Sequence, residues 1–238
     1  MILQKIPKIF VATAFSNENE FSVSCARLNQ QQNIQIIEHF IVHSLGVLEA
    51  LRSLYTKWNQ IKDACDMFIQ LDPDMVLRSE NVFFTIWKTF QTHLDCNWIQ
   101  CPVFDYLTQK NIWGLNAYLP SVEFPIVQSR KFPDRETKNK TRLDPRLLPT
   151  CLNPAADHSP NPSALQAFHF GWHRTLRLGD QNIISNDVLT KLNDVRQALV
   201  IAGQVMARIH LDRGGSSEDV DYSNPHFINA YIKACINQ

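Results

Sequence analysis

Two aspartates one residue apart, Asp72 and Asp74, with Pro73 between them, follow the apolar run Met67 to Leu71, which has the length and composition of a β-strand. In an extended chain the side chains at i and i+2 point the same way, and Pro73 fixes its own φ and keeps Asp72 extended. The two carboxylates are therefore expected to converge on one cation. Oxygen-only ligands suit Mg²⁺ or Mn²⁺, which keep positions open for waters and phosphate oxygens, so a nucleotide diphosphate is the natural third party. A second triplet, Asp219-Val220-Asp221, lies near the tail with no strand before it. Position separates the two, because ligands of α/β sheets gather outside the carboxyl ends of strands. The competing reading of Asp72-Pro73-Asp74 is structural: Asp72-Pro73 starts a turn, and Asp74 or Ser79 caps the next helix.

The elements that must position these acids follow from periodicity. Lys8 to Phe15 is an apolar run that suits a strand covered on both faces, and Ser16-Asn17-Glu18-Asn19 breaks it. Glu20 to Gln32 reads as a helix with Phe21, Cys25 and Leu28 on one stripe, and Ile34 to Val42 as a second strand. After His43-Ser44-Leu45-Gly46, residues from Val47 to Ile61 recur apolar at steps of three and four, an amphipathic helix. Strand Met67 to Leu71 and a helix from about Ser79 to Leu94 complete a βαβαβα order. Such alternation predicts an α/β fold, a mostly parallel mixed sheet with helices on both faces. Between Trp98 and Val127 short strand-like pieces punctuated by Pro102, Pro120 and Pro125 turn the sheet mixed. QAFHF, ending at Phe170, reads as a strand-like piece. Asp187 to Leu211 predicts a long closing helix, part of a C-terminal helical segment. The expected organisation is residues 1–180 as the ligand-binding domain, with 181–238 a helical extension packed on it.

Composition bounds the rest. At 238 residues, 45% hydrophobic and 19% charged, the chain is neither disordered nor fibrous. Its 23 basic and 23 acidic side chains balance. That removes the usual electrostatic reason to expect nucleic acid or anionic membrane as a partner. Six cysteines without a CxxC pair are expected to be reduced thiols, and no apolar run approaches the length of a transmembrane segment, so a cytoplasmic location is expected. Asn139-Lys140-Thr141 is a glycosylation sequon by spelling only. Arg130 to Arg146 carries seven basic and three acidic side chains and reads as a surface loop that closes over a diphosphate, holds an anionic acceptor, or is simply solvated.

The opening FVATAFSNENEFSVSCARLNQQ, then IIEHFIV and FIQLDPDMVL, resemble the first two strand-helix units and the Asp-x-Asp signature of family-2-type glycosyltransferases with the GT-A fold. ADHSPNPSALQAFHFGWHRTLRL and DYSNPHFINAY resemble segments of a bacterial subgroup of such sugar transferases. The resemblance implies transfer of a sugar from a nucleotide-diphosphate sugar to a glycan or other acceptor, with Mn²⁺ or Mg²⁺ bridging the diphosphate. It places Thr13 and Asn17 at the nucleotide base and ribose, Asp72 near the ribose and metal, and Asp74 on the metal. A later histidine often joins the metal in this family, and His158, His169 and His173 are the candidates, with His158 in a proline-flanked loop. An imidazole ligand would favour Mn²⁺ over Mg²⁺.

Breaking a sugar-phosphate bond builds negative charge on the departing diphosphate, and Arg174 and Arg177 are candidate cations to meet it. The Glu-Asp signature of many inverting members is absent as spelled, which leaves Asp157 and Asp105 as candidate bases for an acceptor hydroxyl. Trp98, Trp113 and Trp172 could stack on sugar faces or be core. Two rivals stay open: a metal-dependent phosphohydrolase using the first aspartate as nucleophile, and a non-catalytic nucleotide-sugar binder of the same fold.

Overall fold

The computed structural model describes residues 5–43, 46–126, 137–179 and 194–236. Seven strands are described: β1 (Lys8–Phe15), β2 (Gln35–His43), β3 (Met67–Gln70), β4 (Met75–Leu77), β5 (Trp98–Asp105), β6 (Lys110–Tyr118) and β7 (Ala156–His158). The helices are α1 (Phe21–Asn29), α2 (Val47–Ile61), α3 (Val82–Thr92), α4 (Ala164–Leu178), α5 (Asp194–Asp212) and α6 (Pro225–Ile236). The strands form one sheet in the order β2-β1-β3-β6-β5-β7-β4.

Strand β1 shows why the sheet is covered twice. Its side chains alternate between faces, and every residue from Ile9 to Ala12 is fully buried. Ile9 and Val11 join Met67, Ile69, Leu28 of α1 and the Val82, Phe83, Ile86 and Phe90 stripe of α3 in one core. Phe10 and Ala12 join Phe68 and the Leu51, Leu54, Tyr55 and Trp58 stripe of α2 in the other. Each of these large side chains contributes roughly 1.5–3 kcal/mol on burial.

The sheet is mixed more evenly than expected. β1 runs parallel to β2 and β3, and β5 parallel to β7, but β3·β6, β5·β6 and β4·β7 are antiparallel. The cause is the β5–β6 hairpin, which inserts β6 beside β3; its turn is held by the Asp105 carboxylate, which accepts from the backbone amides of Leu107 (3.3 Å) and Thr108 (3.1 Å). A second correction concerns QAFHF, which is helical, within α4. Ser163-Ala164-Leu165-Gln166 is a capping box: Ser163 Oγ accepts from the Gln166 amide (3.1 Å) and Gln166 Oε1 accepts from the Ser163 amide (2.8 Å). The segment read as a proline-flanked loop around His158 is strand β7.

Helices α4, α5 and α6 build a third core around Phe168, Trp172, Leu199, Val200, Ala207 and Phe227. The long helix expected from Asp187 is α5, described from Asp194; its earlier residues, Val188 and Leu192 included, and the 180/181 division lie outside the described residues, as do Ser44, Leu45 and 130–136 of the basic loop. No described helix is long and apolar enough to cross a membrane. All six cysteines are free thiols.

Buried Glu20, the residue before α1, fastens the start of that helix to this helical layer. Its Oε1 accepts from the Asn161 amide (2.8 Å) and its Oε2 from Gln166 Nε2 (3.0 Å). Glu20→Ala strands both donors at the base of α4. The expected cost is about 1–3 kcal/mol, read by denaturant unfolding, with Glu20→Gln, which keeps one acceptor, costing less.

Candidate functional site

The chain leaves β1 to build β2 on one side and returns to build β3 on the other, so the carboxyl ends of β1 and β3 flank a topological switch point. A cleft of about 450 Å³ opens there. Ser16 and Glu18 reach it from the end of β1, Asp72 and Asp74 from the end of β3, and His169, His173, Arg174 and Arg177 from α4 opposite.

Asp72-Pro73-Asp74 is not extended. The Met75 amide donates to the Asp72 carbonyl at 3.0 Å, closing a turn with Pro73 at its second position. The turn is formed and both aspartates line the cleft, but the capping part of the structural reading is not met, because α3 begins only at Val82 and takes no side-chain cap. Thr13 fixes where the turn starts. Its buried hydroxyl donates to the Leu71 carbonyl (2.8 Å) and is bonded to His39 Nε2 (3.0 Å), so it pins the backbone before Asp72 and does not line the cleft. Asn17, at φ 74°, is an exposed loop tip and leaves the cleft to its neighbour Glu18.

Strand register brings the distant groups together. His158 stands opposite Met75 on one side of β7 and opposite Asp105 on the other. Its Nδ1 lies 3.0 Å from Asp105 Oδ1, and its Nε2 lies 3.4 Å from Asp74 Oδ2. Asp74 Oδ2 also accepts from Ser159 Oγ at 2.6 Å. Burial alone would lower the His158 pKa. The charge of Asp74, the hydrogen bond and charge of Asp105, and the charge of Asp72 outweigh it and raise the value to about 10. Glu18 is raised to about 7, first by burial, against amide hydrogen bonds led by that from Ser16, and further by the charges of Asp74 and Asp72.

The opposite wall is basic. His169 Nε2 donates to the Val220 carbonyl (2.7 Å), its ring stacks on Tyr222 with centroids 3.8 Å apart, and burial, reinforced by Arg177, lowers its pKa to about 4. Burial, then Arg177, His169 and Arg174, lowers that of His173 as well. Both imidazoles are thus neutral, and the positive charge of this wall is that of the arginines. Arg174 packs over the Phe170 ring at 5.5 Å, and its buried Nε meets no hydrogen-bond acceptor among the described residues.

Comparison with known proteins adds little to this picture. No protein-family model matches the chain, and no curated protein does. Among solved structures it is similar to a mannosyltransferase from Pyrobaculum calidifontis, in complex with GDP-Man and Mn²⁺, at 9% identity and a TM-score of 0.35 over 98% of this chain and 88% of that one. No residue here takes a role from that likeness.

Several residues singled out in the sequence stand elsewhere. Asp157 is engaged by Arg78 (Nη2 2.6 Å, Nε 2.8 Å) and does not line the cleft. Asp105 is fully buried beneath it, its oxygens taken by His158, Leu107 and Thr108. Trp98 bonds Asn116 through Nε1 and is covered by Lys140 and Arg142, Trp113 stacks on Arg142, and Trp172 is core, so none of the three borders the cleft.

Conversely, the tail triplet passed over for want of a strand supplies the cleft's far edge. Asp221 Oδ1 accepts from the Val47 amide at the start of α2 (2.7 Å), and Asp221 and Tyr222 line the cleft. Asp219 organises its loop through His210 (2.8 Å) and Asn224 (2.9 Å). Glu18, Ser159 and Tyr222 carry no motif that would have flagged them.

Among the described residues no three His, Cys, Asp or Glu side chains form a metal-binding group. The donor set nevertheless fits a shared hard cation. Mg²⁺-type ions take one or two carboxylates and complete their shell with waters and phosphates rather than with an all-protein cage. Asp72 and Asp74 would supply the carboxylates, and their charges add to the upward shift of Glu18, which burial leads, and to that of His158.

Proposed function

We propose that the protein is a divalent-metal-dependent glycosyltransferase whose donor is a nucleotide-diphosphate sugar. One observation carries the reading: a single cleft at the sheet's switch point has Asp72, Asp74 and Glu18 on one wall and Arg174 and Arg177 on the other. A diphosphate is the ligand that needs both, a cation on one side of its oxygens and guanidinium on the other.

In this reading Asp72 and Asp74 hold Mn²⁺ or Mg²⁺ with His158 beside them, and the ion would supply charge neutralisation at the departing diphosphate. Arg174 offers its guanidinium to a phosphate oxygen from the opposite wall. Thr13 and Ser159 act on the acids, Thr13 by fixing the turn and Ser159 by holding Asp74 Oδ2. The apolar side chains of Val47, Ala50, Leu107 and Ile112 enclose the remainder of the cleft and limit water there. With Asp157 and Asp105 engaged elsewhere, Glu18 and Asp221 are the other carboxylates on the cleft lining, and one of them would take the proton of an acceptor hydroxyl.

The test is thermal unfolding with Mn²⁺ plus UDP or GDP against Mn²⁺ plus inorganic phosphate, followed by turnover of a panel of nucleotide sugars. Stabilisation by a nucleoside diphosphate that requires Mn²⁺, with release of that diphosphate from one donor sugar, is expected. Equal stabilisation by inorganic phosphate would favour a phosphohydrolase, and binding without turnover a non-catalytic binder. Arg174→Ala is expected to weaken nucleotide binding about 10- to 100-fold, the loss of one charge-assisted hydrogen bond, while Mn²⁺ binding alone is unchanged.

A further inference from the structure

We infer that Asp105 is the positioning residue of the metal site: it holds His158 by Nδ1 so that Nε2 is presented beside Asp74 as an ion ligand. The inference rests on the proposed metal site and adds to it a residue that lies wholly outside the cleft.

The geometry is that of an anchored imidazole. Asp105 is 0% exposed, and four donors converge on its two oxygens: Leu107 N at 3.3 Å and His158 Nδ1 at 3.0 Å on Oδ1, Thr108 N at 3.1 Å and Thr108 Oγ1 at 2.5 Å on Oδ2. The amides belong to the tight β5–β6 turn, so the carboxylate is fixed by backbone rather than by a flexible neighbour. β5 and β7 are parallel and in register at Asp105 and His158, which puts the two side chains side by side on one face of the sheet. With Nδ1 donating to Asp105, Nε2 is the nitrogen left to face Asp74, 3.4 Å from its Oδ2, and it ligates an ion by releasing its proton to solvent as the ion binds. Metal-binding histidines characteristically donate their other ring nitrogen to a carboxylate, which sets both the tautomer and the ring orientation. Ser159 completes the arrangement by holding the same Asp74 oxygen at 2.6 Å.

An asparagine at 105 cannot serve all four donors, because one of its terminal atoms is itself a donor. Asp105→Asn is therefore expected to weaken Mn²⁺ binding by the full-length protein about 10- to 100-fold. Free Mn²⁺ would be counted by electron paramagnetic resonance. His158→Ala is expected to weaken binding similarly, and adding Asp105→Asn to it to cost nothing more, since the two act through one ligand. Pulsed resonance on the Mn²⁺-loaded wild type is expected to show imidazole ¹⁴N coupling that His158→Ala removes, a readout that needs no variant at Asp105. Thr108→Val, which removes one of the four anchors, offers a milder perturbation with a several-fold loss if Asp105→Asn fails to fold.

Absence of ¹⁴N coupling, or an equal loss from Asp105→Asn in the His158→Ala background, would overturn the role given to Asp105. Asp74→Asn distinguishes the two layers. If it abolishes Mn²⁺ binding while Asp105→Asn and His158→Ala leave it intact, the metal site stands and Asp105 is only a turn residue. If Asp74→Asn changes nothing, the site itself is misplaced and the inference falls with it.

Discussion

Asp74→Asn is expected to abolish Mn²⁺-dependent binding of a nucleoside diphosphate while leaving the fold standing. Asparagine is isosteric with aspartate, and its carbonyl oxygen can still accept from Ser159 Oγ, which lies 2.6 Å from Asp74 Oδ2. What is removed is the negative charge that faces His158 and Glu18 across the cleft floor. Loss of a supporting residue at a metal centre typically costs 10- to 100-fold in affinity. Loss of a ligand charge sets that upper figure, roughly 100-fold, as the least expected here. Wild-type protein with ligand at a hundred times its Kd gains about 2.7 kcal/mol. For a chain of this length that corresponds to a rise of about 5–11 °C in Tm. Asp74→Asn is expected to show a Mn²⁺-dependent rise of at most about 1–2 °C at the same concentrations. A variant that folds and retains the metal-dependent shift would remove the Asp-x-Asp from the site.

The first half of the chain was legible because its local signals and its packing agree. Run length marks Lys8–Phe15 and the three-four period marks Val47–Ile61, and both are realised with those limits, because the middle of each apolar pattern, Ile9 to Thr13 and Leu48 to Trp58 on its inner stripe, is buried. The Asp-x-Asp was placed at the cleft for a topological reason that survives, although the extended geometry assumed for it does not: Pro73 occupies a turn position as readily as an extended one. Failure began where contacts became non-local. His158, Asp105 and Asp74 meet only through the register of β7 between β5 and β4, two pairings of three residues each that no local period announces. Asp219-Val220-Asp221 was dismissed for lacking a strand, yet it reaches the cleft by capping α2, a contact across 174 positions of sequence. The basic wall was found by residue type but not by element. QAFHF has the aromatic and apolar content of a strand, and only its capping box, Ser163 to Gln166, betrays the helix.

Gly171 follows the strand-like QAFHF as a strand's last residue would, and is instead the point at which α4 touches α5. A Cβ on Gly171 would lie 2.1 Å from the Val200 carbonyl oxygen, and one on Gly203 would lie 2.1 Å from the Phe168 carbonyl oxygen. The two glycines thus let the helices cross backbone to backbone, each seated on the other's turn. Neither clash is with a flexible side chain, so the axes themselves must part. Gly203→Ala gains up to about 1 kcal/mol of helix propensity, but forcing the crossing apart is expected to exceed it. Gly203→Leu should destabilise by about 3 kcal/mol or more, at the upper end for overpacking, lowering Tm by about 6–12 °C. The consequence reaches the cleft, because α4 carries Arg174 and Arg177 on the wall facing Asp72 and Asp74. At a temperature where Gly203→Ala remains folded, nucleoside diphosphate binding is expected to weaken while Mn²⁺ binding alone is retained, since Asp72 and Asp74 sit on the turn after β3, with Asp74 held by Ser159 and His158 at the end of β7. Equal loss of both, measured by calorimetry on the folded variant, would mean that the two walls are not independent and that the division of labour between sheet and helix is mistaken.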